Sequence, residues 1–209
     1  ALMARVQSAI DAERAFSAHT AHELRTPLAA ARAQAQRLAL ACADPAQRDY
    51  AQALVRQLDR ITHLATRLLQ LARIESGVAL QREPVDLVEL ATMVADEFAE
   101  ARRQGRLRIE IQGDQAPIQG DIDALGIALR NLLDNALKHG GTSAAVRLQV
   151  EPLALTVIDT GPGLSAEHLP LLGRKFARAN SGVDGSGLGL AMVRTIADQS
   201  NALLELHSP

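Results

Sequence analysis

Four clusters of residues in this 209-residue chain have the types and spacing to do chemistry. The first is Ala21-His22-Glu23-Leu24-Arg25-Thr26-Pro27-Leu28. On a helix, side chains three and four apart share a face, so Thr26 lies one turn from both His22 and Glu23 and all three can address one external group. An exposed imidazole, with a reference pKa near ~6.5, is mostly neutral at pH 7 and can act as a nucleophile if a neighbour takes its other proton. Glu23 is placed to be that base. Pro27 has no N–H for the carbonyl of Glu23, which predicts a loosened helix beside His22. A surface histidine on a helical bundle is the ordinary alternative, and the proline is what sets His22 apart from His19, His63, His168 and His207.

The second cluster is Asn131-Leu-Leu-Asp-Asn135-Ala-Leu-Lys138-His139. Asn131 and Asn135 are four apart and share a helix face, where their amide oxygens could ligate a hard cation such as Mg²⁺, while Lys138 could reach a phosphate. Two Asn at this spacing by themselves more often describe a solvated face. Of the 22 basic residues, however, only Lys138 and Lys175 are lysines, which makes Lys138 notable. The third cluster is Val157-Ile158-Asp159-Thr160-Gly161-Pro162-Gly163. Asp159 could accept a hydrogen bond from the amino group of a base, and Gly161 and Gly163 would let the backbone approach a flat ring, although an Asp before a glycine turn is also common in plain turns. The fourth is Gly185-Ser-Gly187-Leu188-Gly189-Leu190, entering a helical pattern from Ala191 to Gln199. Free N–H groups at a helix N-terminus suit an anion, but the glycines do not follow the strand and turn of a dinucleotide fold.

These residues need elements to position them. Aromatics are 2% of the chain, one Tyr and three Phe with no Trp, so the core must be aliphatic. No Gly precedes Gly77, and residues 1–75 are rich in strong helix formers. Asp44 and Pro45 read as the cap and first position of a second helix, making a helical hairpin. Leu54, Leu58, Ile61, Leu64, Leu68 and Leu71 then form an apolar stripe that two helices cannot bury alone, which predicts a second copy and a dimeric four-helix bundle. Arg82 to Val85 reads as a linker. Beyond it, Leu87–Arg103 reads as a helix, Leu107–Ile111 as a strand, Asp121–His139 as a long helix, and Ala144–Val150 and Ala154–Ile158 as two strands. The fold class is α+β, the hairpin being followed by an α/β sandwich whose mixed sheet is covered by helices on one face.

The net charge of −2 shows no polybasic footprint, which argues against nucleic acid as a partner. Cys42 is the one cysteine, so no internal disulfide forms. No apolar run approaches 18 residues and the first residues do not read as a signal peptide, so the chain reads as soluble.

Taken together and in this order, H-E-L-R-T-P, N-L-L-D-N-A-L-K, D-T-G-P-G and G-S-G-L-G-L resemble the bacterial two-component sensor histidine kinases, across nearly the whole chain. The resemblance implies a dimerisation and histidine-phosphotransfer domain at 1–75, a hinge linker at 76–84, and at 85–209 an ATP-binding domain of the gyrase, Hsp90, kinase and MutL superfamily. It implies that His22 is the phospho-acceptor and Glu23 its base, with Thr26 at the position tied to phosphatase activity. Asn135, with Asn131 beside it, would hold Mg²⁺, and Lys138 would meet the phosphates of ATP. Asp159 would select adenine in a pocket shaped by Gly161 and Gly163, while Gly185, Gly187, Leu188 and Gly189 would border the phosphates. Phe176 resembles the aromatic that opens the ATP lid, and His139 stands on the adenine side where such kinases often have Tyr. The implied partners are a second copy and the receiver domain of a response regulator. The chain reads either as truncated after Pro209 or as a domain with an incomplete sheet edge, and as the cytoplasmic portion of an inner-membrane protein whose spans lie upstream. An ATPase of the same superfamily, or a phosphotransfer scaffold without ATP chemistry, are the competing readings; the first leaves His22, Glu23 and Thr26 unexplained.

Overall fold

The computed structural model describes residues 26–75, 82–141, 144–165, 168, 172–173, 175 and 187–208. The chain divides into two compact units, Ala1–Val78 and Ala79–Pro209.

In the first unit, helix α1 covers residues 26–41 and helix α2 covers Pro45–Glu75. The turn forms as its residues predict. Asp44 Oδ1 accepts the amide of Ala46 at 3.0 Å, and the Asp44 carbonyl accepts the amide of Arg48 at 3.0 Å, so the cap is satisfied by side chain and backbone together. Arg48 reaches back to the Cys42 carbonyl at 2.9 Å, and Arg32 Nε meets Asp59 Oδ1 at 2.5 Å to tie α1 to α2. Ala35 and Ala51 are buried, while Leu54, Ile61, Leu64 and Leu68 of the α2 stripe remain 37–50% exposed.

The second unit is built from β1 (Glu83–Asp86), α3 (Leu87–Asp96), α4 (Ala99–Arg103), β2 (Leu107–Ile111), β3 (Pro117–Gly120), α5 (Ile122–His139), β4 (Val146–Glu151), β5 (Ala154–Asp159) and α6 (Gly189–Ser200). β2, β4 and β5 form a mixed sheet in that order, with β2 and β4 parallel and β4 and β5 antiparallel. The parallel pairing demands a crossover, which β3 and α5 supply. Alternation sets the faces: Val146, Leu148 and Val150 are buried, whereas Arg147 and Glu110 form an ion pair on the outer face. The inner face packs with Leu90, Ala91, Val94, Leu129, Leu133 and Ala136 of α3 and α5 into one aliphatic core.

Three elements differ from the sequence expectation. β1 and β3 pair antiparallel as a separate ribbon, Glu83 opposite Gly120 and Asp86 opposite Pro117. Pro84 and Pro117 hide both strands, because proline is tolerated only at edges and strand starts. β1 begins at Glu83, inside the stretch read as linker. The helix expected over Leu87–Arg103 is two helices. Glu97 and Phe98 break it, their amides bonding to Val94 and Ala95 carbonyls at 3.2 and 3.0 Å in tightened turns. Arg130 of α5 grips Glu97 with both nitrogens, Nε at 2.6 Å and Nη2 at 2.5 Å, and Phe98 packs on the core. Finally, β4 starts at Val146 rather than Ala144.

Candidate nucleotide site

α5 carries the polar face. Asp121 caps it, Oδ1 accepting the Ala124 amide at 2.9 Å, and Gly141 (φ +88°) takes the left-handed conformation just past its end. Arg130 is anchored to Glu97, whose carboxyl this hydrogen-bonded guanidinium holds below its ordinary value, with the pKa of Arg130 raised in turn.

Next to that anchor, the Asn131 side chain donates its amide nitrogen to the Ile127 carbonyl at 2.8 Å. That bond orients the amide and leaves Oδ1 as a free acceptor. Asn135, one turn on, is half-buried and makes no side-chain hydrogen bond to the described residues. Two amide oxygens on one face, one fixed and one unengaged, suit a hard cation. Lys138 is exposed and pairs with Asp134 at 2.6 Å, so it must leave that carboxylate to meet a phosphate. His139 is exposed at the helix end.

Asp159 ends β5, and α5 packs against both β5 and α6. Oδ1 of Asp159 accepts the Gly161 amide at 2.8 Å, which leaves Oδ2 for a donor from outside. Ala145 and Thr160 bridge β4 to this turn, the Ala145 amide on Thr160 Oγ1 at 3.0 Å and the Thr160 amide on the Ala145 carbonyl at 3.1 Å. Gly163 (φ +69°) and Gly187 (φ +67°) are left-handed. Leu188 precedes α6 and is fully buried, and Gly189 opens the helix. His22, Glu23, Phe176 and Gly185 lie outside the described residues, and Thr26 belongs to the first unit, exposed on α1.

Sequence reasoning missed two contributors. Gly140 marks where the end of α5 meets the Asp159 turn: a Cβ at Gly161 would fall 2.8 Å from the Gly140 Cα. Arg106, just before β2, donates to the carbonyls of Leu137 and Gly141. The Gly140-Gly141 pair was visible as a helix stop; nothing local marks Arg106, whose partners lie more than 30 residues away.

The match to known proteins follows these two units. The His Kinase A (phospho-acceptor) domain matches residues 12–77, and the histidine kinase-, DNA gyrase B-, and HSP90-like ATPase matches residues 120–209. This is the class in which a phospho-acceptor helical domain is joined to an ATPase-like α/β domain. Sensor protein QseC of Salmonella typhi is 35% identical over 201 residues, covering 94% of this chain and 45% of that protein. Among solved structures, full-length ShkA in complex with AMPPNP matches with a TM-score of 0.67 and 27% identity, over 88% of this chain and 40% of that one. Histidine kinase AdeS of Acinetobacter baumannii matches at 0.56 and 25%, over 85% of this chain and 86% of that one. The chain belongs to the sensor histidine kinases of two-component systems. It spans about half the length of the curated relatives it matches, and among its described residues no helix is long and apolar enough to cross a membrane.

Proposed function

We propose that this chain is the catalytic core of a sensor kinase that phosphorylates His22 from ATP and passes the phosphoryl group to an aspartate of a response regulator. The observation that carries the reading is the pairing on one unit of an Asn131/Asn135 face with a half-free carboxylate at Asp159. A cation site and an adenine site are the two ends of a nucleotide.

In this reading the neutral imidazole of His22 attacks the γ-phosphorus. An N–P bond forms, the bond to the β-phosphate oxygen breaks, ADP leaves, and Glu23 takes the proton from the second ring nitrogen. Charge in such a transition state is spread over the phosphoryl oxygens, so the protein contributes position and electrostatics rather than covalent chemistry. Asn135 and Asn131 would hold Mg²⁺, which would neutralise charge on the triphosphate. Asp159 Oδ2 would accept the adenine amino group, and Gly187 and Gly189 would offer backbone amides at the start of α6. Because His22 and this face belong to different units, the segment that joins the units ahead of β1 must let them meet.

The exposed leucines and isoleucine of α2 support a dimer, and the ~45% coverage of relatives supports a longer, membrane-anchored parent protein with this portion in the cytoplasm. Incubation with γ-phosphate-labelled ATP tests the reaction. Acid-labile, base-stable label that vanishes in His22→Ala is expected. Free phosphate without label would instead make the chain an ATPase, and neither product would make it a scaffold.

A further inference from the structure

We propose that Arg106 is a positioning residue for nucleotide binding, on the reading of the Asn131, Asn135 and Asp159 face as the ATP site. Its backbone is pinned from two sides: its amide bonds to the Ala101 carbonyl at 2.8 Å, and its carbonyl accepts the Val146 amide at 2.7 Å. From that fixed base, at the mouth of the sheet, Nη2 reaches the carbonyls of Leu137 at 3.0 Å and Gly141 at 2.9 Å. These flank Lys138, His139 and Gly140 at the end of α5.

The last carbonyls of a helix lack partners within it and carry the negative end of its dipole, so a guanidinium there is favoured by charge as well as by hydrogen bonding. Nε of Arg106 is buried with no partner among the described residues. A side chain free to turn into water would satisfy that nitrogen. The side chain is turned instead toward the two carbonyls.

The held helix end is also the surface on which the Asp159 turn rests. Gly140 approaches Gly161 so closely that a Cβ on Gly161 would lie 2.8 Å from the Gly140 Cα and 2.6 Å from Asp159 Oδ1. A shift of the α5 end therefore moves the carboxylate and the asparagine face relative to each other. Arg106 sets that spacing without touching the nucleotide.

The test is the ATP dependence of the initial autophosphorylation rate of the full chain. Arg106→Ala is expected to raise the KM for ATP about tenfold, with the kcat change within about twofold, since small misplacements of binding groups cost affinity steeply. Arg106→Lys, whose ammonium can still donate to both carbonyls, is expected to recover part of the shift. Arg106→Gln, keeping the stem and a donor, replaces the alanine variant if that one does not fold. A purely structural role would lower kcat with the active fraction and leave KM unchanged, which would overturn the proposal. Equal KM shifts for lysine and alanine would overturn it too, because charge at the helix end would then be irrelevant. Asp159→Asn separates the two levels: if it leaves nucleotide affinity intact, the reading of the site itself fails, whatever Arg106 does.

Discussion

Gly140 and Gly161 meet backbone to backbone. The position of a Cβ on Gly161 is blocked at 2.8 Å by the Gly140 Cα, which is backbone and cannot swing aside, and at 2.6 Å by the Asp159 carboxylate. Packing against the helix end is by itself a reason for glycine there. Gly161→Ala is expected to weaken ATP binding at least about tenfold and to cost about 1–3 kcal/mol of stability by overpacking. Gly126, on the same helix, is the control. A Cβ there meets only Leu90 Cδ1 at an ordinary 3.8 Å, so Gly126→Ala should gain up to about 1 kcal/mol of helix propensity and leave affinity unchanged. Calorimetric titration and thermal melts of both variants decide it.

Asn131 and Asn135 separate ligation from folding. Among the described residues Asn131 donates only to a carbonyl of its own helix, and Asn135 has no side-chain partner. Alanine is a better helix former than asparagine by about 0.6 kcal/mol, so neither alanine variant should melt lower by more than about 1 kcal/mol. Phosphorylation should nevertheless fall at least about a hundredfold in Asn135→Ala, the loss expected when a charge-neutralising group is removed from the transition state. Activity that tracks the melting temperature instead would show the pair to be an ordinary helix face.

Much of this was legible locally. The helix read over Asp121–His139 agrees with α5 to within one residue, because cap and stop signals act within one turn. β4 was legible from strict alternation. β1 and β3 were not, since Pro84 and Pro117 signal a break to any reading of propensity while tolerating an edge ribbon. The break between α3 and α4 was hidden for a different reason: it is stabilised by Arg130, 33 residues beyond Glu97. The four polar clusters were visible as types and spacings. What joins α5 to the Asp159 turn, Arg106 and the Gly140 contact, exists only once distant segments are packed.

The stripe on α2 predicts assembly. Leu54 and Ile61 are each 50% exposed in the single chain, and Leu64 and Leu68 are 37% and 39% exposed. Burying such a side chain fully is worth about 1.5–3 kcal/mol relative to leaving it in water. Light scattering should therefore find a dimer for the wild type and a monomer for Ile61→Lys. The thermal transition of the α/β unit, to which Ile61 does not belong, should be unchanged. A monomeric wild type at tens of micromolar would sink the expectation.

Asp86 predicts an acid-sensitive clip. One oxygen, Oδ1, accepts two amides: Val88 at 2.9 Å, capping α3, and Ala116 at 3.0 Å, tying the approach to β3 onto that cap. The Ala116 hydrogen bond first, then that of Val88, holds the carboxyl below its ordinary 3.8. Because the folded value is the lower one, the unfolded chain takes up the proton first as pH drops. The contribution is complete well above 3.8, shrinks as pH falls below it, and is gone once pH passes the folded value. Asp86→Asn keeps an oxygen able to accept both amides, so it should lower neutral-pH stability less than Asp86→Ala, which orphans two N–H groups. Both variants should lose this part of the acid dependence. Denaturant melts of wild type and Asp86→Asn between pH 7 and pH 3 provide the check: the stability gap between them must narrow on acidification, and a gap that stays constant or widens would mean that the carboxylate's charge contributes nothing to the clip.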